Sequence, residues 1–213
     1  MSSATSDEDT ASSEARGIAA ERLTFFSDAV VAIAITLLAL ELPLPEGATS
    51  AELLRSLGHH RSEYISFLIS FAVIAAHWRA HHRLFHYVTT VRSGLLRLTF
   101  GWLLMMVLMP FATKVIAEDG GFEFRFVLYA LVQVVALALF VLMTGQIQRH
   151  HLHRADTPPE LFGEFYRGLG TMIAAFAVSI PVAFFTNWAY ACWFVIPLVG
   201  SLLFRLRRPA AQA

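Results

Sequence analysis

The sequence is poor in charge. Of its 213 residues only 15% are Asp, Glu, Lys or Arg, against 56% hydrophobic, and the mean hydropathy is +0.58. Long apolar runs with so few charges exclude an ordinary soluble domain and indicate an integral membrane protein. Cysteine is nearly absent. Cys192 stands alone in an apolar run, which excludes an intramolecular disulfide, a CxxC redox pair and a zinc knuckle. The net charge is zero, so there is no global basic signal for nucleic acid. Lys114 is the one lysine against fifteen arginines, a usage that carries no functional weight. No HExxH, Gly-rich phosphate loop or nucleophile–base set is present, and nothing implies a cofactor or a metal.

Six apolar segments can be placed, at about 23–42, 63–88, 95–115, 124–144, 168–187 and 189–206. Pro43 and Pro45 stop the first. The second, YISFLISFAVIAA followed by HWRAHHRLFHYV, has a purely apolar part of only ~13 residues, short of the ~20 a spanning helix needs. His77 and Trp78 therefore belong inside that helix or at its boundary. Pro110, Pro181 and Pro197 fall within segments, which membrane helices tolerate because neighbours re-satisfy the freed carbonyls. Gln133 sits mid-span in the fourth. The expected organisation is an all-α polytopic protein with six transmembrane helices. Residues 1–21 read as a disordered cytoplasmic tail, 22–206 as the transmembrane domain, and 207–213 as a cytoplasmic C-terminal tail. The stretch 145–167 reads as the longest loop.

Arginine placement orients the chain. With six spans, twelve basic residues fall on the side of both termini and four on the other. The positive-inside rule then puts both termini in the cytoplasm.

The first segment, RLTFFSDAVVAIAITLLALEL, holds a carboxylate, Asp28, in apolar surroundings. Such a group is costly in a bilayer and marks function or a packing role. At 100° per residue and with Ile33 as reference, Phe26, Ala29, Leu37 and Leu40 fall within about 40° and Thr36 at about −60°. Ser27 and Asp28 point the other way, at about +120° and −140°, and so face the subunit's own helices. Depth arithmetic sets Asp28 ~8 Å past the start of its helix and His77 ~9 Å from the same membrane face. The expectation is an Arg22–Ser27–Asp28–His77 network pinning helix one to helix two. Trp78, His81 and His82 join it from the same stretch.

Arg22-x-x-x-Phe26-Ser27-Asp28 resembles the RxxxFSD signature of the transmembrane protein 175 potassium-channel family. The following AVVAIAITLLALEL, WRAHHRLF (Trp78 to Phe85) and MPFAT (Met109 to Thr113) are similar to that family as well. The resemblance implies a prokaryotic member with one six-helix repeat per subunit, in the cell membrane, assembled as a homotetramer around a pore lined by helix one. It assigns Ile33, Leu37 and Leu40 to an apolar constriction, with Thr36 beside them, and gives Arg22, Phe26, Ser27 and Asp28 a structural role. The implied function is passive, leak-like K⁺ conduction through a hydrophobic filter.

The chemistry is coherent with that reading. No TVGYG-type run is present, so a filter of backbone carbonyls is excluded. An apolar ring makes an ion shed water, which K⁺ does more readily than Na⁺, and it gates by dewetting when narrow. The alternatives are a secondary transporter for a cation or proton, a membrane enzyme, and a haem or metal protein using His77 and His81, which stand one helical turn apart. A transporter calls for internal repeats around a polar midplane site, and no repeat is evident. The remaining histidines lie in loops, and Glu41 marks the outer end of helix one.

Overall fold

The computed structural model describes the backbone of residues 2–207, with side chains from 17 to 203. Every regular element among them is helical. Seven α-helices follow in order: α1 (Ser2–Leu40), α2 (Ser50–His59), α3 (Arg61–Phe85), α4 (Ser93–Ala117), α5 (Phe122–Arg149), α6 (Glu160–Ala183) and α7 (Cys192–Arg207). A single 3₁₀ turn, Asn187–Ala191, leads into α7. The six apolar segments map onto α1, α3, α4, α5, α6 and the 3₁₀ turn with α7.

Among the described residues, four stretches are long and apolar enough to cross a membrane: Gly17–Leu40, Ser93–Ala117, Phe122–Arg149 and Glu160–Ala183. Helix α3 has the length, 25 residues, but its second half carries histidines and arginines. Helix α7 has 16 residues and is short. Pro110, Pro181 and Pro197 all lie inside helices.

Three boundaries differ from the sequence reading. Helix α1 runs from Ser2, through the stretch up to residue 21 that was expected as a tail. Ala20 is the first buried residue among its described side chains, and residues 208–213 lie outside those described. Helix α2 was not anticipated. It is short and amphipathic, and it is set by a capping box in which Thr49 accepts from Glu52 N–H while Glu52 reaches back to the Thr49 N–H. The 145–167 stretch shrinks to 150–159, because Gln148, Arg149, Glu160 and Phe162 extend α5 and α6. This short loop is tied down. Leu152 is buried, its carbonyl accepts from Thr89 N–H at 2.9 Å, and Arg154 N–H donates to Tyr87 O at 2.8 Å.

Neighbouring helices pack in sequence order, α3 on α4, α4 on α5, α5 on α6 and α6 on α7, while α1 lies across α3 and α4. The core is aromatic. Trp102, Phe126, Tyr129 and Phe140 are fully buried, and Trp193 stacks on Phe126 and Tyr129 while donating to Ser179 Oγ at 2.9 Å. At one end, Arg83 pairs with Glu164 at 2.6 Å. At the other, Lys114 meets Glu41 at 2.6 Å and Tyr64 donates to Pro43 O at 2.7 Å.

Polar side chains bind the interior across helices. Thr113 donates to Ser70 Oγ at 2.7 Å, and Ser70 and Tyr129 hydroxyls lie 3.1 Å apart, joining α3, α4 and α5. Interhelical hydrogen bonds in membranes average about 0.6 kcal/mol and reach about 1.7. Thr113→Val should therefore cost about 0.6 to 1.7 kcal/mol in reversible unfolding from mixed micelles. A loss above about 3 kcal/mol would mean that this cluster holds the three helices by more than pairwise bonds.

Candidate functional site: the exposed face of helix α1

Helix α1 is buried on one side only. Ala20, Leu23, Ser27, Val31, Ala34 and Leu38 are each under 9% exposed, a stripe at three- and four-residue spacing centred about 120° from Ile33. These side chains are mostly small, which lets α1 approach α3 and α4 closely. The opposite face is bare in the subunit: Phe26 is 47% exposed, Ile33 58%, Leu37 40% and Leu40 79%. Thr36 is exposed beside them, and its hydroxyl donates to Ile33 O at 2.8 Å. The apolar stripe drawn from the wheel is thus the face that α1 turns away from its own subunit.

The polar network differs from the expected one. Asp28 lies at the flank of the buried face, and its Oδ1 accepts from Trp78 Nε1 at 2.9 Å. Its partner on α3 is Trp78, one residue along from His77. The depth arithmetic placed the level correctly, but neighbouring helical residues point about 100° apart, and depth alone does not choose between them. Ser27 is fully buried and donates to Leu23 O at 2.8 Å, within its own helix. Arg22 is exposed and has no hydrogen-bond or ion-pair partner among the described residues. Phe26 packs against Phe100 of α4, ring centres 5.7 Å apart. The motif residues therefore touch both α3 and α4, through Asp28 and Phe26.

His77 belongs to a second, deeper cluster. Its Nε2 lies 3.2 Å from Gln133 Oε1, and Trp102 Nε1 donates toward Nδ1 at 3.5 Å. Both contacts are met by the tautomer protonated at Nε2. Gln133 completes the set by donating to Met109 Sδ at 3.1 Å. His81 is fully buried and lies flat between Phe85 and Trp102, 4.0 and 4.6 Å between ring centres. Neither of its ring nitrogens has a hydrogen-bond partner among the described residues. His82 stacks on Trp78 at 5.5 Å. So Trp78 bonds to Asp28 and carries His82 on its other contact, while His77 and His81 attend Trp102. Sequence reasoning missed Trp102 and Gln133 as partners; a polar mid-span Gln and an indole one helix away from a histidine were the available signals.

The geometry fits one known family. The model of the endosomal/lysosomal potassium channel TMEM175 family matches residues 22–110, which hold the motif, the α1 stripe, Trp78 and the start of the α4 core. A potassium channel of Streptomyces collinus is 32% identical over 170 residues, 76% of this chain and 82% of that protein. The chain belongs to the TMEM175 potassium-channel family. A potassium channel of a Chryseobacterium species is 26% identical, with 84% of this chain and 90% of that one aligned. The crystal structure of a lysosomal potassium-selective channel TMEM175 homolog from Chamaesiphon minutus superposes with a TM-score of 0.69 at 26% identity, covering 86% of this chain and 97% of that one. As a TMEM175-family member, the protein is a multi-pass membrane protein and not an enzyme.

The Asp28–Trp78 bond can be isolated by a double-mutant cycle. Asp28→Ala and Trp78→Phe should be non-additive by about 1.5 to 3 kcal/mol in detergent unfolding, as a hydrogen bond to a carboxylate requires. Asp28→Ala with His77→Gln should add to within about 0.5 kcal/mol. The reverse pattern would return His77 to the Asp28 site.

Proposed function

We propose that this protein is a potassium-selective, leak-like channel in the cell membrane of a prokaryote, built as a homotetramer whose four α1 helices line a central pore. The observation that carries the proposal is the one-sided burial of α1 in a TMEM175-family chain. A helix that turns Ile33, Leu37 and Leu40 away from its own bundle either meets lipid or meets its copies around an axis. The crystallised Chamaesiphon minutus homolog is described as a potassium-selective channel, and the Streptomyces collinus relative is called a potassium channel. Both favour the second placement.

In this reading α3 and α7 join the four long apolar helices as spans, giving six. The excess of arginines at the end bearing Arg83, Arg92 and Arg149 lies in the cytoplasm, with both termini. Each of Ile33, Leu37 and Leu40 forms a ring around the axis. No ring offers an oxygen, so an ion passes only by giving up part of its water, and the smaller, more tightly hydrated Na⁺ gives up more free energy in doing so. The Thr36 hydroxyl uses its proton on Ile33 O, which leaves its oxygen lone pairs available to a passing cation. Glu41 at the outer end is paired with Lys114, so it adds little net negative potential there. Gln133, the polar group a transporter reading would place at a midplane site, is engaged by His77 and Met109.

Planar-bilayer recording of the purified protein under opposed K⁺ and Na⁺ gradients tests this. Wild type should show small currents reversing near the K⁺ equilibrium potential. Ile33→Asn should raise conductance several-fold and move reversal toward zero. An unchanged current and reversal potential in the variant would remove Ile33 from the ion path.

A further inference from the structure

A cleft of about 520 Å³ opens at the arginine-rich end between α4, α5 and α6. The α1 stripe takes no part in it. Arg97 from the second turn of α4 and Arg149 from the last turn of α5 stand at its rim, with Gln146 and Tyr166 beside them. Leu98, Val141 and Leu142 continue it toward the middle of the bundle. From Val141 to Arg149 the cleft follows α5 for about 12 Å. It is thus basic at the membrane surface and apolar below it.

Its charge and its floor bear on what it could hold. Among the described residues, neither Arg97 nor Arg149 has a hydrogen-bond or ion-pair partner, and no carboxylate lines the cleft. Arg83, Arg154 and Lys114 each pair with an acid, and the two cleft arginines do not. Gly94 and Gly145 also line the cleft, where an added Cβ would make only ordinary van der Waals contact. A Cβ at Gly94 would stand 3.4 Å from Gln146 Oε1, and one at Gly145 3.6 Å from the Tyr166 hydroxyl. Tyr166 is itself fixed by donating to Gln148 Oε1 at 3.1 Å.

We propose that this cleft binds an anionic phospholipid of the cytoplasmic leaflet. The phosphate sits between the Arg97 and Arg149 guanidiniums, and one acyl chain lies along Leu98, Val141 and Leu142. Guanidinium presents a planar fork that matches phosphate oxygens. Basic pockets between spanning helices on the cytoplasmic side have the charge and depth for such headgroups. The free apolar floor favours a lipid over a soluble phosphate, which would leave it wet. The site rests on the membrane orientation proposed above and not on conduction, so the test reads lipid binding alone and its failure leaves the channel reading standing.

The full chain, purified in a neutral detergent, is titrated with phosphatidylglycerol, phosphatidylcholine or inorganic phosphate. Thermal unfolding is followed by its four tryptophans, and bound lipid by native mass spectrometry. Phosphatidylglycerol should raise the Tm by several degrees and remain bound, whereas phosphatidylcholine and phosphate should not. The exposed pair Arg97→Gln with Arg149→Gln should keep the lipid-free Tm, lose the phosphatidylglycerol response, and weaken its binding at least about tenfold. Arg97→Lys with Arg149→Lys should retain most of the response. Equal responses to both lipids, a full response in the glutamine variant, or loss in the lysine variant as complete as in the glutamine one would each overturn the proposal. An equal shift with inorganic phosphate would assign the cleft to a free anion instead.

Discussion

Once Ala20, Leu23, Ser27, Val31, Ala34 and Leu38 are buried against α3 and α4, helix α1 can be turned only one way. Its small and compact side chains make the seam close, and the seam decides which residues are left outside. Rotating α1 by a single residue's 100° would bury Ile33 or Leu37 and expose Ser27 or Val31, losing packing without a compensating contact. Asp28 sharpens the same constraint. A carboxylate in an apolar helix needs a donor, and Trp78 supplies one at a single azimuth and depth. Phe26 against Phe100 adds a second point on α4. Two anchors on two helices fix rotation and height together, and the side chains proposed to meet the ion inherit their aim from them.

The rest of the bundle is a rigid support for that seam. Trp102 is central to it: fully buried, stacked on His81 and bonded toward His77. The hydrogen bonds among Ser70, Thr113 and Tyr129, and among His77, Gln133 and Met109, tie α3, α4 and α5 at two levels. In lipid, such groups have no water to fall back on, so they pair with one another. Of the histidines of α3, His77 braces α3 against α4 and α5 through Trp102 and Gln133, and His81 packs flat on Trp102.

Much of this was legible in the sequence because its causes are local. Apolar length predicted the major helices, and the 3.6-residue period predicted which face of α1 carries Ile33, Leu37 and Leu40. The FSD triplet marked the level at which α1 meets α3. The remainder depended on tertiary geometry. Trp78 and His77 differ by one residue and about 100°, which no depth estimate resolves. Arg22 and Ser27 looked like network members by proximity, yet Ser27 satisfies itself on Leu23 O and Arg22 is exposed. Helix α2 was hidden because it is only ten residues long and too short to span, and its capping box at Thr49 and Glu52 was the overlooked signal. The extension of α5 and α6 into the supposed loop followed from Gln148, Arg149 and Glu160, helix-compatible residues whose polarity reads as loop, and from the burial of Phe162.

The central claim is that the exposed stripe of α1 faces a water-filled path and its buried stripe does not. Cysteines placed singly at Ile33, Leu37 or Val31, in a Cys192→Ser background, separate the two faces by their reaction with a thiol-specific silver or methanethiosulfonate reagent during recording. The account predicts block at Ile33→Cys and Leu37→Cys and none at Val31→Cys. Block at Val31→Cys with none at Ile33→Cys and Leu37→Cys would contradict it.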